Sequence, residues 1–166
     1  MTATTSQAPA PAERSVLANV VRAGLAGGLV DFVYASCVGL THGRTVVKVW
    51  QGVAGGWLGK DAGQGGLATA ALGLVTHFGI SICFAAAFAL AASRIRALYR
   101  RPLLAGVTYG IGLYAVMYGV VLPLRWPAIF PKWDGVQSLT DIASHIGVGV
   151  VIALMLSRAA RTPREG

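Results

Sequence analysis

The chain has 166 residues, of which 55% are hydrophobic and only 12% are charged, and its mean hydropathy is +0.63. Soluble domains usually carry about 25% charged residues, so this composition excludes an ordinary water-soluble domain and indicates an integral membrane protein. The formal charge of +8 does not indicate a nucleic-acid-binding protein, because the basic residues flank apolar segments instead of forming a patch interleaved with aromatic residues.

The chain is predicted to consist of two tails and a single membrane domain. Residues 1–15 are rich in Ala, Thr and Pro, which predicts a disordered tail. Four apolar segments follow, each close to the roughly 20 residues that cross a hydrocarbon layer. They lie at about 16–40, 67–92, 103–124 and 139–156. We therefore predict an all-α fold, an integral membrane four-helix bundle over residues 16–157, with a basic tail at 158–166.

An additional amphipathic helix is predicted between the first two spans, at about residues 44–60. Its apolar face would hold Val46, Val49, Trp50, Val53 and Trp57, and its opposite face Arg44, Lys48, Gln51 and Gly55. The segment is too short and too polar for a fifth span. It is predicted to be an interfacial helix at the outer leaflet.

The basic residues predict the orientation. Four spans place both termini and the 93–102 loop on one side, which holds nine basic residues against five on the other. The positive-inside rule assigns the richer side to the cytoplasm. We therefore expect a bacterial inner-membrane protein with both termini cytoplasmic, in contact with anionic lipid. The four tryptophans fall on the outer side, at the headgroup level that indole rings favour; they are Trp50, Trp57, Trp126 and Trp133.

Small residues at four-residue spacing predict close helix packing, because glycine lets backbones approach each other in lipid. The glycine pairs are Gly24 with Gly28, Gly52 with Gly56, Gly59 with Gly63 and Gly106 with Gly110. Beyond the bilayer itself, the expected partner is a second copy of the chain or another membrane protein. Cys37 and Cys83 are predicted to lie too far apart in depth for a disulfide, and to be buried thiols.

Three ionisable residues lie deep in the apolar segments, namely Asp31, His77 and His145. Counted from the midpoints of their spans, they fall within about one helical turn of the same depth. Tyr114 of the third span falls at that depth, and Asp141 lies one turn from His145. Because a charged group in the bilayer must face the interior and pair, we predict one polar site formed by these five residues.

Three interpretations of this predicted site remain open. It could be purely structural, with Asp31 bonded to a histidine and with Asp141 orienting the fourth helix or its neighbour His145. It could lie on a pathway for protons or a small solute, which is the default for intramembrane ionisable residues. It could also bind haem or a metal through His77 and His145. Motifs for covalent catalysis are absent from the sequence, so an enzyme is not the favoured interpretation.

Four stretches carry a resemblance that covers about residues 20–156. They are AGLAGGLVDFVYA, VVKVWQGVAGGWLGKDAGQGGLATAALGLVTHFGIS, RRPLLAGVTYGIGLYAVMYGVVLPL and ASHIGVGVVIAL. The chain resembles an uncharacterised family of small four-span bacterial inner-membrane proteins, and is more distantly similar to the YagU-type proteins. The matching residues are Asp31, His77, Phe78, Tyr109, Gly110, Leu122, Pro123 and His145. Members commonly have a serine after Leu-Pro, where this chain has Leu124 and Arg125. The resemblance implies a location and supplies no activity.

Overall fold

The computed structural model describes residues 11–161, and the side chains of residues 16–161. Residues 11–15 and 158–161 of the two predicted tails are helical, and the remainder of both tails lies outside the described residues. The elements are helical throughout the described part: α1 (Pro11–Thr41), α2 (Val46–Leu58), a 3₁₀ segment (Gly59–Gln64), α3 (Gly66–Arg94), α4 (Ala97–Arg100), α5 (Pro102–Val116), a π-helical segment (Met117–Val121), α6 (Leu122–Arg125) and α7 (Val136–Arg161).

The four predicted apolar segments are long helices, each long and apolar enough to cross a membrane. They span Val16–Thr41, Gly66–Arg94, Pro102–Arg125 and Val136–Arg161. Large aliphatic side chains lie exposed along their outward faces, for example Leu29 at 53% and Val75 at 72%. In water such surfaces would be costly, whereas lipid covers them without penalty.

Glycines position the helices against each other in antiparallel pairs. A Cβ atom at Gly24 of α1 would lie 2.5 Å from the Cα atom of Ile82 in α3. A Cβ atom at Gly106 of α5 would lie 2.5 Å from the Cα atom of Val150 in α7. The pairs Gly24–Gly28 and Gly106–Gly110 therefore pack as predicted. The other two predicted pairs form no such close contact between helices, since Gly52 and Gly59 face open space.

The main cluster of buried hydrophobic side chains lies in one half of the bundle. We call this half the basic end; it contains the starts of α1 and α5, the ends of α3 and α7, and α4. The opposite half, with the 42–65 and 126–135 connections, is called the cavity end. Alanines and a few larger side chains form the core, so the helices approach closely there; its members are Val20, Ala23, Ala85, Phe88, Ala92, Ala105, Leu113, Val148, Ile152, Ala153 and Leu156.

The third long helix widens into a π turn before it ends. Pro123 has no N–H group, and its ring would clash with the carbonyl group four residues earlier in a regular helix. The N–H group of Leu122 instead donates to the carbonyl oxygen of Met117, a step of five residues. Such π turns often occur at functional sites, and this one carries Tyr118 toward the cavity end.

Both cysteines are free and exposed at the surface of the helices, which corrects the prediction of buried thiols for Cys37 and Cys83. The sequence places each in an apolar segment but does not fix which way the helix is rotated. Small, weakly polar thiols are tolerated on an outward face among aliphatic side chains.

Candidate functional site

A cavity of about 660 Å³ occupies the cavity end, between α1, α2, α3, α7 and the π segment with α6. Four of the five predicted site residues line it, namely Asp31, His77, Asp141 and His145. Most of the remaining wall is aliphatic or aromatic, and the cavity ends inward at Phe84 and Val148, next to the packed core. A cavity of this size and character is typical of small-molecule sites.

Asp31 of α1 lies at the centre of the polar wall. Its Oδ1 atom accepts a hydrogen bond of 2.8 Å from Ser144 of α7, and its Oδ2 atom lies 3.9 Å from Nδ1 of His77 in α3. The carboxylate therefore joins α1 to α7 and faces a histidine of α3. Among the described residues, no lysine or arginine forms an ion pair with it.

The partner of His77 fixes where its proton lies. Its Nε2 atom is 2.9 Å from the carbonyl oxygen of Gly28, and because a carbonyl oxygen only accepts hydrogen bonds, Nε2 carries the hydrogen. In the neutral ring, Nδ1 then presents a lone pair to the carboxylate of Asp31. Two acceptors face each other across 3.9 Å, so one added proton, on either partner, converts a repulsive contact into an attractive one.

Asp141 lies at the other side of the cavity and is 8% exposed. Its Oδ1 atom accepts hydrogen bonds from the hydroxyl group of Tyr34 at 2.6 Å and from Nε2 of Gln137 at 3.0 Å. Tyr34 belongs to α1, so this contact joins α1 to α7. Neutral donors alone satisfy Asp141 in the described part of the chain, which leaves its negative charge without a cationic partner there.

The spacing of Asp141 and His145 allows a bond between the carboxylate and the imidazole, but the structure does not contain this bond. The Nδ1 atom of His145 lies 2.8 Å from the backbone carbonyl oxygen of Asp141, which makes Nδ1 the protonated nitrogen and leaves Nε2 without a hydrogen-bond partner among the described residues. The rings of Tyr114 and Tyr118 contact His145 edge-on, with centroids 5.7 and 5.8 Å away. Tyr114 stacks on Tyr118 at 4.4 Å, and it is Tyr118 that lines the cavity.

Helix α2 covers the site from the cavity end, and its burial pattern corrects the prediction for Gln51. Trp50 is 1% exposed and stacks on Phe32 at 5.0 Å, with its ring also against His77. Its ring is therefore covered by protein side chains. Gln51 was predicted on the polar outer face but is 3% exposed, and its Nε2 atom donates to the carbonyl oxygen of Gly66. Trp57, predicted on the apolar face, is 63% exposed.

Basic side chains line only the rim of the cavity. Arg44 follows α1, and Arg125 ends α6 with its guanidinium group 5.1 Å from the ring centroid of Trp57. The inner wall thus carries two carboxylates and two imidazoles, and the rim carries two cations. The carboxylates therefore lie deep in the cavity and the positive charges lie at its rim.

Sequence reasoning missed Tyr34, Gln137 and Ser144, which hold the two carboxylates. Tyr34 follows Asp31 by three residues and so shares its face, which is a usable signal.

A transition-metal site has no support here, because the described residues contain no group of three or more His, Cys, Asp or Glu side chains that could hold an ion.

Comparison of the chain with protein families, curated proteins and solved structures finds no match.

Proposed function

We propose that the chain is a multi-pass protein of the bacterial inner membrane, with both termini cytoplasmic and α2 at the outer leaflet. Four long apolar helices and their exposed aliphatic faces support the membrane location. The excess of basic residues at the basic end supports the orientation. The proposal includes membership in the family of small four-span proteins that the motifs of the chain resemble.

We further infer that the cavity is the binding site of a proton-linked pathway for a small solute. The observation that carries this inference is the Asp31–His77 pair, with facing atoms 3.9 Å apart on the wall of a largely apolar cavity of about 660 Å³. A proton added between these groups removes the repulsion of two acceptors. A solute with a hydrogen-bond donor or positive charge relieves the same repulsion, so proton and solute compete for one place.

The packed core closes the cavity at one end, and this determines the transport kinetics that we expect. Below Phe84 and Val148 the helices approach closely around buried alanines, so the cavity opens toward one end of the bundle. Passage to the other side requires the helices to rearrange, as in alternating access and unlike an open pore. We expect slow, saturable transport, with the π segment at Met117–Val121 as the part of the wall that moves.

A structural role is the second candidate, and it has its own supporting observation. The bonds from Ser144 to Asp31 and from Tyr34 to Asp141 both join α1 to α7. A membrane scaffold or stress-related accessory protein would need no more than this. In that case the polar residues would stabilise the bundle and carry no protons.

Proton flux into proteoliposomes separates the two candidates. The protein is reconstituted with a pH-sensitive dye inside, and a potassium diffusion potential drives protons inward. We expect saturable flux in the wild type and flux at the level of protein-free liposomes for Asp31→Asn, because an amide neither takes up the proton nor provides a negative charge that stabilises it on His77. Thermal unfolding in detergent verifies that the variant is folded.

Asp134→Asn is the matched control. Asp134 is an exposed carboxylate outside the long helices, and the hydrogen bond from Lys132 at 2.9 Å holds the pKa of Asp134 below its usual value. We expect its flux to equal that of the wild type. Flux in the wild type no higher than in protein-free liposomes, or full flux in folded Asp31→Asn, would contradict the pathway.

A further inference from the structure

A second, smaller cleft lies at the basic end, on the opposite side of the core from the cavity. It has a volume of about 310 Å³ and lies between the end of α3, the short helix α4 and the end of α7. Three arginines line it, two from α4 and its N-cap and one from the end of α7. The lining residues are Ala92, Ser93, Arg96, Tyr99, Arg100, Ala160 and Arg161.

A hydrogen bond from a side chain to the backbone joins the two sides of the cleft. Nη2 of Arg161 donates a hydrogen bond of 2.9 Å to the carbonyl oxygen of Tyr99, which fastens α4 to α7. The ring of Tyr99 packs edge-on against Phe88 of the core, with centroids 6.5 Å apart. Arg96 and Arg100 stand one turn apart on the same side of α4, so their side chains can reach the same group.

The charge of the cleft is not balanced by acidic side chains of the described chain. The four acidic residues whose side chains are described all belong to the cavity end; they are Asp31, Asp61, Asp134 and Asp141. The ion pair of Asp134 with Lys132 and the contact of Asp31 with His77 also lie there. Three guanidinium groups around one cleft therefore favour an anionic ligand, and their planar donors match the geometry of phosphate oxygens.

The surroundings of the cleft are apolar on the side of the long helices. Ala92 is fully buried in its floor. Next to Arg96 in the chain, Ile95 is 55% exposed, and Leu90 of α3 is 64% exposed. A ligand that combines a phosphate group with an aliphatic chain would satisfy both the arginines and this apolar surface.

We propose that this cleft binds the phosphate headgroup of an anionic phospholipid, with the acyl chains along the outer surface of α3. The proposal rests on the membrane location proposed above but not on proton transport. A basic pocket at the cytoplasmic ends of membrane helices is where such headgroups lie. The lipid would bridge α4 and the end of α7, and so stabilise the basic end.

The test compares two double variants of equal charge. Arg96→Gln/Arg100→Gln removes two arginines that line the cleft. Arg94→Gln/Arg101→Gln removes two exposed arginines of the same loop that do not line it. Each purified protein is placed in nanodiscs of phosphatidylcholine with increasing phosphatidylglycerol, and retained lipid is measured by native mass spectrometry after gentle detergent release.

We expect the wild type and Arg94→Gln/Arg101→Gln to retain phosphatidylglycerol over phosphatidylcholine. Arg96→Gln/Arg100→Gln should need about ten-fold more phosphatidylglycerol for the same occupancy, because two charged contacts to the phosphate are lost. Equal losses in the two variants would reduce the effect to general surface charge and overturn the site. Displacement of the lipid by millimolar inorganic phosphate would assign the cleft to a free anion, and absence of any preference would also overturn the proposal.

Discussion

The hydroxyl group of Tyr34 shows what a single polar contact does in this bundle. It donates to Asp141 at 2.6 Å and accepts from Gln137 at 2.8 Å. A carboxylate that is 8% exposed needs such donors, since an unsatisfied charge in an apolar surrounding is costly. Tyr34 therefore both supplies Asp141 with a hydrogen-bond donor and joins α1 to α7.

A double-mutant cycle measures this contact. We expect Tyr34→Phe and Asp141→Ala to lower the free energy of unfolding individually, and the double variant to lose less than their sum by about 0.6 to 1.7 kcal/mol. Unfolding is followed in one detergent by circular dichroism. Tyr114→Phe is the control, because the Tyr114 hydroxyl has no hydrogen bond among the described residues and its removal should change little. Strict additivity of the Tyr34 and Asp141 effects would show that the hydrogen bond contributes nothing.

At the level of residues, the sequence predicted the ionisable groups of the site better than their partners. Asp31 and His77 stand out because an ionisable side chain in an apolar segment must face the interior. The hydroxyl of Ser144 carries no comparable signal, since serine is common in membrane helices for packing reasons. Which hydroxyl reaches Asp31 depends on the rotation of α7, and that is decided by packing along its whole length.

Helix α5 has one face whose side chains change in size along its length, and this explains where the cavity lies. Gly106 and Gly110 come first on that face, followed by Tyr114 and then Tyr118 in the π segment. The glycines bring the backbone of α5 against α7 at the basic end. The tyrosine rings stack at the cavity end and keep the helices apart there, so a close seam leads into an open space.

The close contact between α5 and α7, which we call the seam, predicts opposite effects on the free energy of unfolding for substitutions at two nearby glycines. A Cβ atom at Gly110 would collide with the backbone of Ile146, whereas one at Gly112 meets nothing within 4 Å. We expect Gly110→Ala to lower the free energy of unfolding by about 1 to 3 kcal/mol, since α5 and α7 must separate. Gly112→Ala should raise it by up to about 1 kcal/mol, because alanine favours a helix. Thermal unfolding of both variants in the same detergent tests this, and an equal response would contradict the seam.

At the level of elements, periodicity predicted the helices but not what covers each face. The amphipathic pattern of residues 44–60 correctly indicates a helix, which is α2. Its buried side chains are Trp50, Gln51 and Ala54, because α3 approaches so closely that Gly73 meets the backbone of Trp50. The pattern could not anticipate a buried glutamine, since its donor finds its acceptor at Gly66 only after α2 folds back on α3.

The whole molecule is polarised, with a packed end that is rich in arginine and an open end that holds the two carboxylates of the cavity. Composition and segment length predict the number of long helices, because both are properties of the chain alone. The cavity was not predictable from them, since it arises from a mismatch of side-chain volumes between helices distant in sequence. The same polarity is the basis of the orientation that the positive-inside rule predicts.

Cysteine labelling tests that orientation on the intact protein. Cys37→Ala/Cys83→Ala provides a background without thiols, and both replaced residues are exposed, so little packing is lost. Into it, Asp61→Cys places a thiol at the cavity end and Arg101→Cys one at the basic end, both at exposed positions.

In spheroplasts treated with a membrane-impermeant maleimide, we expect the thiol at position 61 to react at once and the thiol at position 101 only after permeabilisation. The reason is that basic loops are retained in the cytoplasm. Lys132→Cys, in the other connection of the cavity end, should behave like Asp61→Cys, because an even number of spans separates the two positions. The reverse pattern would place both termini outside, and labelling at both ends of the bundle would contradict the crossing of the membrane by these four helices.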